Sequence, residues 1–238
     1  MQLLKSITVL ALLLCVTTSY AQWKKIKGDG NITTTTRSTD SYDGIKAAGS
    51  MDVNLVQGKE GEITIKGDSN LLEYITTEVK DNKLVIKTKK GFNIRSTKTI
   101  VVTVPYESIS SVSLSGSGDV ENSGTIKADE FKVAIAGSGD IKLNVDSQSL
   151  ESAISGSGDI ELNGSTKDLT VKIAGSGDFD GRNLQSTNVN VKIAGSGGAN
   201  VVCNGELKAR IAGSGDVNYT GKPTNKDTKI TGSGSVSN

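Results

Sequence analysis

From Ser115 to the C-terminus, alternating apolar and polar residues are broken at a steady interval by Gly-Ser-Gly. Gly-Ser-Gly-Asp begins at Gly116, Gly137, Gly156, Gly175 and Gly213. The related Gly-Ser-Gly-Gly and Gly-Ser-Gly-Ser begin at Gly195 and Gly232. Two residues before each first glycine stand Leu114, Ile135, Ile154, Ile173, Ile193, Ile211 and Ile230. Four residues after it stand Val120, Ile141, Ile160, Phe179, Ala199, Val217 and Val236. Each repeat therefore reads as strand, glycine corner, strand, and a period of about 19–20 residues is that of a solenoid. In the coil from Leu169, Leu169, Val171 and Ile173 share one face with Lys172 on the other. This period-2 alternation puts aliphatic side chains inside and polar ones outside. Equivalent strands then pair in parallel about 4.8 Å apart, which predicts an all-β parallel β-helix, right-handed by the usual crossover rule. Glycines at the seven corners allow positive φ and close approach of backbones.

The first half is less regular. Residues 22–41 are rich in Lys, Gly, Asn, Thr and Ser and predict a mobile leader or an edge strand. Residues 42–105 predict an irregular β-rich part, and residues 106–238 the regular coils. Ala48-Gly49-Ser50-Met51-Asp52-Val53 is an imperfect early relative of the repeat. Val53 and Leu55, then Ile63 and Ile65, alternate across a Gly-containing turn and predict two half-buried strands. Asp68-Ser69-Asn70 offers N-cap residues for a short helical turn over Leu71 to Ile75. Further strands are expected at Thr77 to Val79, at Leu84 to Ile86 and at Ile100 to Val104, where Pro105 stops the ladder. The lysine-rich stretch from Lys87 to Lys98 reads as an exposed loop.

Tyr42-Asp43-Gly44-Ile45, Ala48-Gly49-Ser50, the serial Gly-Ser-Gly motifs and Tyr219-Thr220-Gly221-Lys222-Pro223 together resemble the autotransporter-adhesin "head GIN" domain family, over about Tyr42 to Val236. The resemblance implies a secreted β-helical protein of Bacteroidetes type with an adhesin-like role. It brings no catalytic residues to carry over.

Residues 1–21 hold one cation, Lys5, an apolar run from Ile7 to Val16 and a small-x-small end at Ser19-Tyr20-Ala21. These are the marks of a secretory signal peptide, too short for a membrane span. Leu14 before Cys15 argues against a lipoprotein site. The expected product is secreted, periplasmic or on the outer surface, with no membrane span. Without Lys5 it carries 26 basic and 26 acidic residues, which argues against a nucleic-acid partner. Cys203 is then alone and no intrachain disulfide can form. The absence of His removes the commonest general base and the usual zinc ligand. No cofactor motif is present.

The most tempting site is the carboxylate column Asp119, Asp140, Asp159, Asp178 and Asp216, with Asp52 as an early member. Ca²⁺ bound between coils would offset their repulsion, of about 1 kcal/mol per pair in water. One Asp per coil, however, supplies too few oxygens for a cage of six to eight. The alternative is that each Asp accepts corner N–H bonds. A glycosidase could use Asp159 with Asp178, but the same residue recurs on every coil and singles out no pair. Phe131, Phe179 and Cys203 fall at inward positions. Lys132, Lys172, Lys192 and Arg210 fall on the outer face. The expectation is a non-enzymatic binding module for a protein or glycan partner, with a polysaccharide-active enzyme or a purely structural envelope component as alternatives. Homo-oligomerisation through the open last coil, Thr231 to Asn238, is also expected.

Overall fold

A computed structural model describes residues 24–238, so the signal-peptide expectation lies outside the described residues. The N-terminal part holds β1 (Lys24–Lys27), β2 (Ile32–Ser38), β3 (Gly44–Gly49), β4 (Asp52–Gln57), β5 (Glu62–Asp68), β6 (Ile75–Lys80), β7 (Lys83–Thr88), β8 (Phe92–Arg95) and β9 (Val101–Tyr106). The repeats hold β10 (Ser111–Gly116), β11 (Val120–Ser123), β12 (Ile126–Gly137), β13 (Ile141–Gly156), β14 (Ile160–Gly175), β15 (Phe179–Gly195), β16 (Ala199–Val202), β17 (Glu206–Gly213), β18 (Val217–Thr220), β19 (Asn225–Gly232) and β20 (Val236–Ser237).

The repeats form a parallel β-solenoid in which glycine stands on glycine: Gly49, Gly116, Gly137, Gly156, Gly175, Gly195, Gly213 and Gly232 pair in succession. Alternation along each strand decides which side chains enter the core. In β14, Leu169, Val171 and Ile173 are buried while Lys172 and Ala174 are exposed. Register then stacks like on like, giving an isoleucine column from Ile135 through Ile154, Ile173, Ile193 and Ile211. Burying each such side chain is worth about 1.5–3 kcal/mol before conformational entropy is subtracted.

Each coil also turns at a second place, which the glycine period does not mark. In β13 the buried positions are Ile141, Leu143 and Val145, then Leu150, Ser152 and Ile154, so the phase of alternation slips between them. Ser147, Thr166 and Ser186 stack at this corner. The Ser147 hydroxyl donates to Thr166 Oγ1 at 3.2 Å and the Ser186 hydroxyl to the Val202 carbonyl. Hydroxyls thus satisfy polar groups where the ladder bends.

At the N-terminal end chain order and stacking order part company. β3 and β4 pair in parallel with β10 and β11 on one side and with β7 and β9 on the other. The chain therefore lays down one layer, passes beyond it to build the end layer, and returns over both to continue the stack. Antiparallel β5, β2 and β6 cover that end.

Three local expectations need correction. The Lys87–Lys98 stretch is not a simple loop, because Phe92–Arg95 pairs with Lys24–Lys27; the segment read as a leader or edge strand thus supplies two strands, β1 and β2. Pro105 lies inside β9, opposite Val56, and does not end it. The antiparallel neighbour β5 reaches only Val101–Thr103, so the missing N–H of Pro105 costs no ladder bond there. A single 3-10 turn, Leu72–Tyr74, forms where a helical turn is expected, but Leu71 precedes it without a side-chain cap. Asp68 is engaged elsewhere, accepting from the Gly30 N–H at 2.8 Å and from the Thr97 N–H and hydroxyl at 2.9 and 2.6 Å.

Candidate functional site

The corner sets the geometry of everything around it. Gly175 has φ +134°, and a Cβ there would meet the Gly156 carbonyl oxygen at 2.2 Å. Gly177 has no such φ, yet a Cβ would stand 2.1 Å from the Gly158 oxygen. The first glycine answers to conformation and contact, the second to contact alone.

The aspartates that follow hold the coils together. The backbone N–H of each donates to the Oδ1 of its counterpart one coil earlier: Asp119 to Asp52 at 3.2 Å, Asp140 to Asp119 and Asp159 to Asp140 at 3.0 Å, and Asp178 to Asp159 at 2.7 Å. Where the column is interrupted, the N–H of Gly198 still donates to Asp178 at 2.6 Å and that of Ser235 to Asp216 at 2.8 Å. These bonds satisfy donors at a bend and offset like-charge repulsion through charge-assisted geometry. Burial pushes the Asp52 carboxyl up, and the Asp119 N–H pulls it back. Asp159 and Asp178 each accept from the backbone N–H one coil on, as their neighbours do, so the hydrogen-bond pattern singles out no pair. Among the described residues no three His, Cys, Asp or Glu side chains come together as a metal cluster.

The outer face in front of the corner carries a feature the sequence reading passed over. The residue just before each corner glycine is always small: Ser115, Ala136, Ser155, Ala174, Ala194, Ala212 and Thr231. Register stacks them in one column. Beside it runs a second column, Ser113, Ala134 and Ala153, which turns basic at Lys172, Lys192, Arg210 and Lys229. The result is an open trough of about 890 Å³ along the coils, apolar at one end and rimmed by cations at the other. Lys132 lies outside that column, opposite Glu151. Lys172 pairs with Glu151 and Arg210 with Asp227, both at 2.5 Å. Lys192 and Lys229 have no ion-pair partner among the described residues.

Phe131, Phe179 and Cys203 are all buried in the core. The Cys203 thiol faces the Thr187 carbonyl at 3.5 Å, and burial pushes its pKa up, which makes it a packing group.

Solved structures share this architecture. A "putative adhesin" from Bacteroides fragilis superposes with a TM-score of 0.85 at 24% identity, over 90% of this chain and 99% of that one. A "putative lipid binding protein" from Parabacteroides distasonis is 28% identical with a TM-score of 0.75 over the same shares, and a "putative adhesin" from the same species is 25% identical with a TM-score of 0.74, again over 90% and 99%. A comparison with curated proteins found no match. The family model described as "Putative auto-transporter adhesin, head GIN domain" matches residues 41–223, and the chain belongs to that family.

Proposed function

We propose that the protein is a non-enzymatic, secreted or surface-located binding module of adhesin type, which seats an extended ligand in the trough of the outer face. The observation that carries this is the uninterrupted column of small residues. The corner serines and aspartates recur as well, but along the strand before each corner the outward positions three and five residues before the glycine vary in size and charge, while this one stays small through all the coils. Two things support a binding role: the family description, and the engagement of each corner carboxylate with a backbone donor in a pattern that recurs from coil to coil and singles out no pair. No helix among the described residues is long and apolar enough to cross a membrane.

A second reading has its own observation. An apolar floor with unpaired Lys192 and Lys229 at one end suits an acyl chain with an anionic headgroup, and one structural relative is described as lipid-binding. A single variant serves both readings: Ala174→Trp fills the trough from an exposed position. The protein and the variant are titrated with a glycan panel and with a fluorescent C18 fatty acid. Loss of binding by Ala174→Trp at an unchanged thermal midpoint supports the trough, and the probe that binds chooses the ligand class. Equal binding by both proteins would contradict it.

Self-association through the last coil belongs to the same proposal. All eight residues of β19 are exposed, and Ile230, 41% exposed, is the large apolar side chain on that edge.

A further inference from the structure

We infer that the N-terminal end of the solenoid carries a second, separate site, for an acidic glycan bearing uronate groups. The charge of the chain is lopsided. Residues 24–98 hold 14 basic and 10 acidic side chains, residues 99–238 hold 12 and 16. The excess concentrates in one segment, where Lys80, Lys83, Lys87, Lys89, Lys90, Arg95 and Lys98 face Asp81 alone. Of these, only Lys87 has an ion-pair partner among the described residues, Glu78 at 2.7 Å. Lys27 stands directly opposite Arg95, and Lys80 opposite Lys83. Like charges across a ladder destabilise it, so the fold keeps a concentration of cations that its own stability does not call for.

The backbone builds a hollow lined by two of them, Lys87 and Lys90. After Thr88 the chain leaves the stack in a turn closed by Phe92 N–H to the Lys89 carbonyl at 3.2 Å, with Gly91 at φ +88°. Among the described residues β8 then pairs with β1 alone, and its other edge carries no strand. Between that edge and the first corners lies a depression of about 580 Å³, of a size that holds small ligands. Phe92 and Ile94 offer it apolar surface, Ser50, Thr88 and Asn93 offer hydroxyl and amide groups, and Lys90 stands at its rim. Among the described residues no carboxylate lines it. Phe92 is fixed by Tyr74, ring centroids 4.7 Å apart, with the Lys89 ammonium 5.7 Å from the Tyr74 centroid.

A pyranose C–H face on Phe92, sugar hydroxyls on the Ser, Thr and Asn side chains and a carboxylate on Lys90 would use all of these groups at once. The apolar groups are recessed, which suits a ligand that enters better than a flat bilayer. The inference rests on the binding-module reading but not on the trough, which occupies other residues.

The test titrates the protein with an oligogalacturonate hexamer and with its methyl ester, which keeps the sugars and erases the charge. The acid form binds at least tenfold tighter than the ester, and more weakly as salt rises. Lys90→Gln combined with Lys87→Gln weakens it at least tenfold, Lys90→Arg keeps it within about threefold, and Phe92→Leu weakens both forms at an unchanged midpoint. Ala174→Trp leaves this binding intact. No binding of the acid form, equal binding of acid and ester, indifference to the Lys variants, or equally tight binding of single-stranded DNA or phosphatidylglycerol vesicles would overturn the inference. The trough would stand untouched by that failure.

Discussion

Gly175 and Gly177 separate two reasons for being glycine. Gly175→Ala meets both a positive φ and the Gly156 oxygen, Gly177→Ala the oxygen of Gly158 alone. Gly30, at φ +80°, has nothing within 4 Å of a Cβ. Alanine at Gly30 is expected to cost about 1 kcal/mol, the price of a left-handed residue. At Gly175 or Gly177 it is expected to cost about 3 kcal/mol or more, since rigid backbone must shift in the coil beneath. Urea unfolding of the three variants checks the order. Ser152 makes the opposite case. Its hydroxyl is buried without a partner between Val133 and Val171 in an inward column. Ser152→Val is expected to raise stability by about 1 kcal/mol, because an unsatisfied group gives way to one that matches its neighbours; a fall in the urea midpoint would show that the column has no room for it.

At the scale of the element, the strands of the repeats were legible because each is written several times over. Ile135, Ile154 and Ile173 need not be read singly when their spacing repeats. The carboxylate column was legible only as residues. That Asp159 accepts from Asp178 N–H follows from which way the corner turns, and alternation does not encode that. Ser115, Ala136 and Ala174 look inconspicuous one at a time, and only register makes a column of them. β1 and β8 were hidden for a different reason. A four-residue strand pairing with another 68 residues away has no periodicity of its own, and lysines in Lys24–Lys27 mask it. Asp-Ser-Asn favours a cap, but long-range bonds from Gly30 and Thr97 to Asp68 outweigh it.

Those bonds tie the loop after β1 and the segment after β8 to the end of β5, and they make that junction acid-sensitive. The Thr97 hydroxyl first, then backbone N–H groups, hold the Asp68 carboxyl below its usual range. A carboxylate depressed in the folded state contributes stability above its unfolded pKa and loses it as pH falls through the folded one. Urea midpoints measured from neutral pH down to pH 2 are therefore expected to fall along an acid limb that Asp68→Asn flattens. An unaltered limb would place the acid sensitivity elsewhere.

For the whole molecule the two ends differ. Antiparallel strands close the N-terminal end, while among the described residues β19 pairs on one edge only. Lys226 occupies an inward position of this last coil, beneath Leu207. Its ammonium lies 5.4 Å from the Tyr219 ring centroid and donates to the Tyr219 hydroxyl at 3.2 Å. An inward-pointing charge on an open edge is a known defence against strand addition, so self-association through this coil is opposed by one residue. Lys226→Leu is expected to increase association with concentration in sedimentation velocity, and an unchanged profile would remove Lys226 from that role.

The repeat divides between two duties: the corner holds coils together, and the small outward column in front of it is the proposed binding face. The most direct test measures binding and thermal midpoint together for Asp159→Asn and Ala174→Trp, with and without Ca²⁺. Asn keeps an oxygen for the Asp178 N–H, so Asp159→Asn should bind like the unaltered protein, and Ca²⁺ should move neither midpoint; Ala174→Trp should keep its midpoint and lose binding. A Ca²⁺-dependent rise in midpoint abolished by Asp159→Asn, with binding lost there and kept in Ala174→Trp, would contradict the account and move the site from the face to the corner.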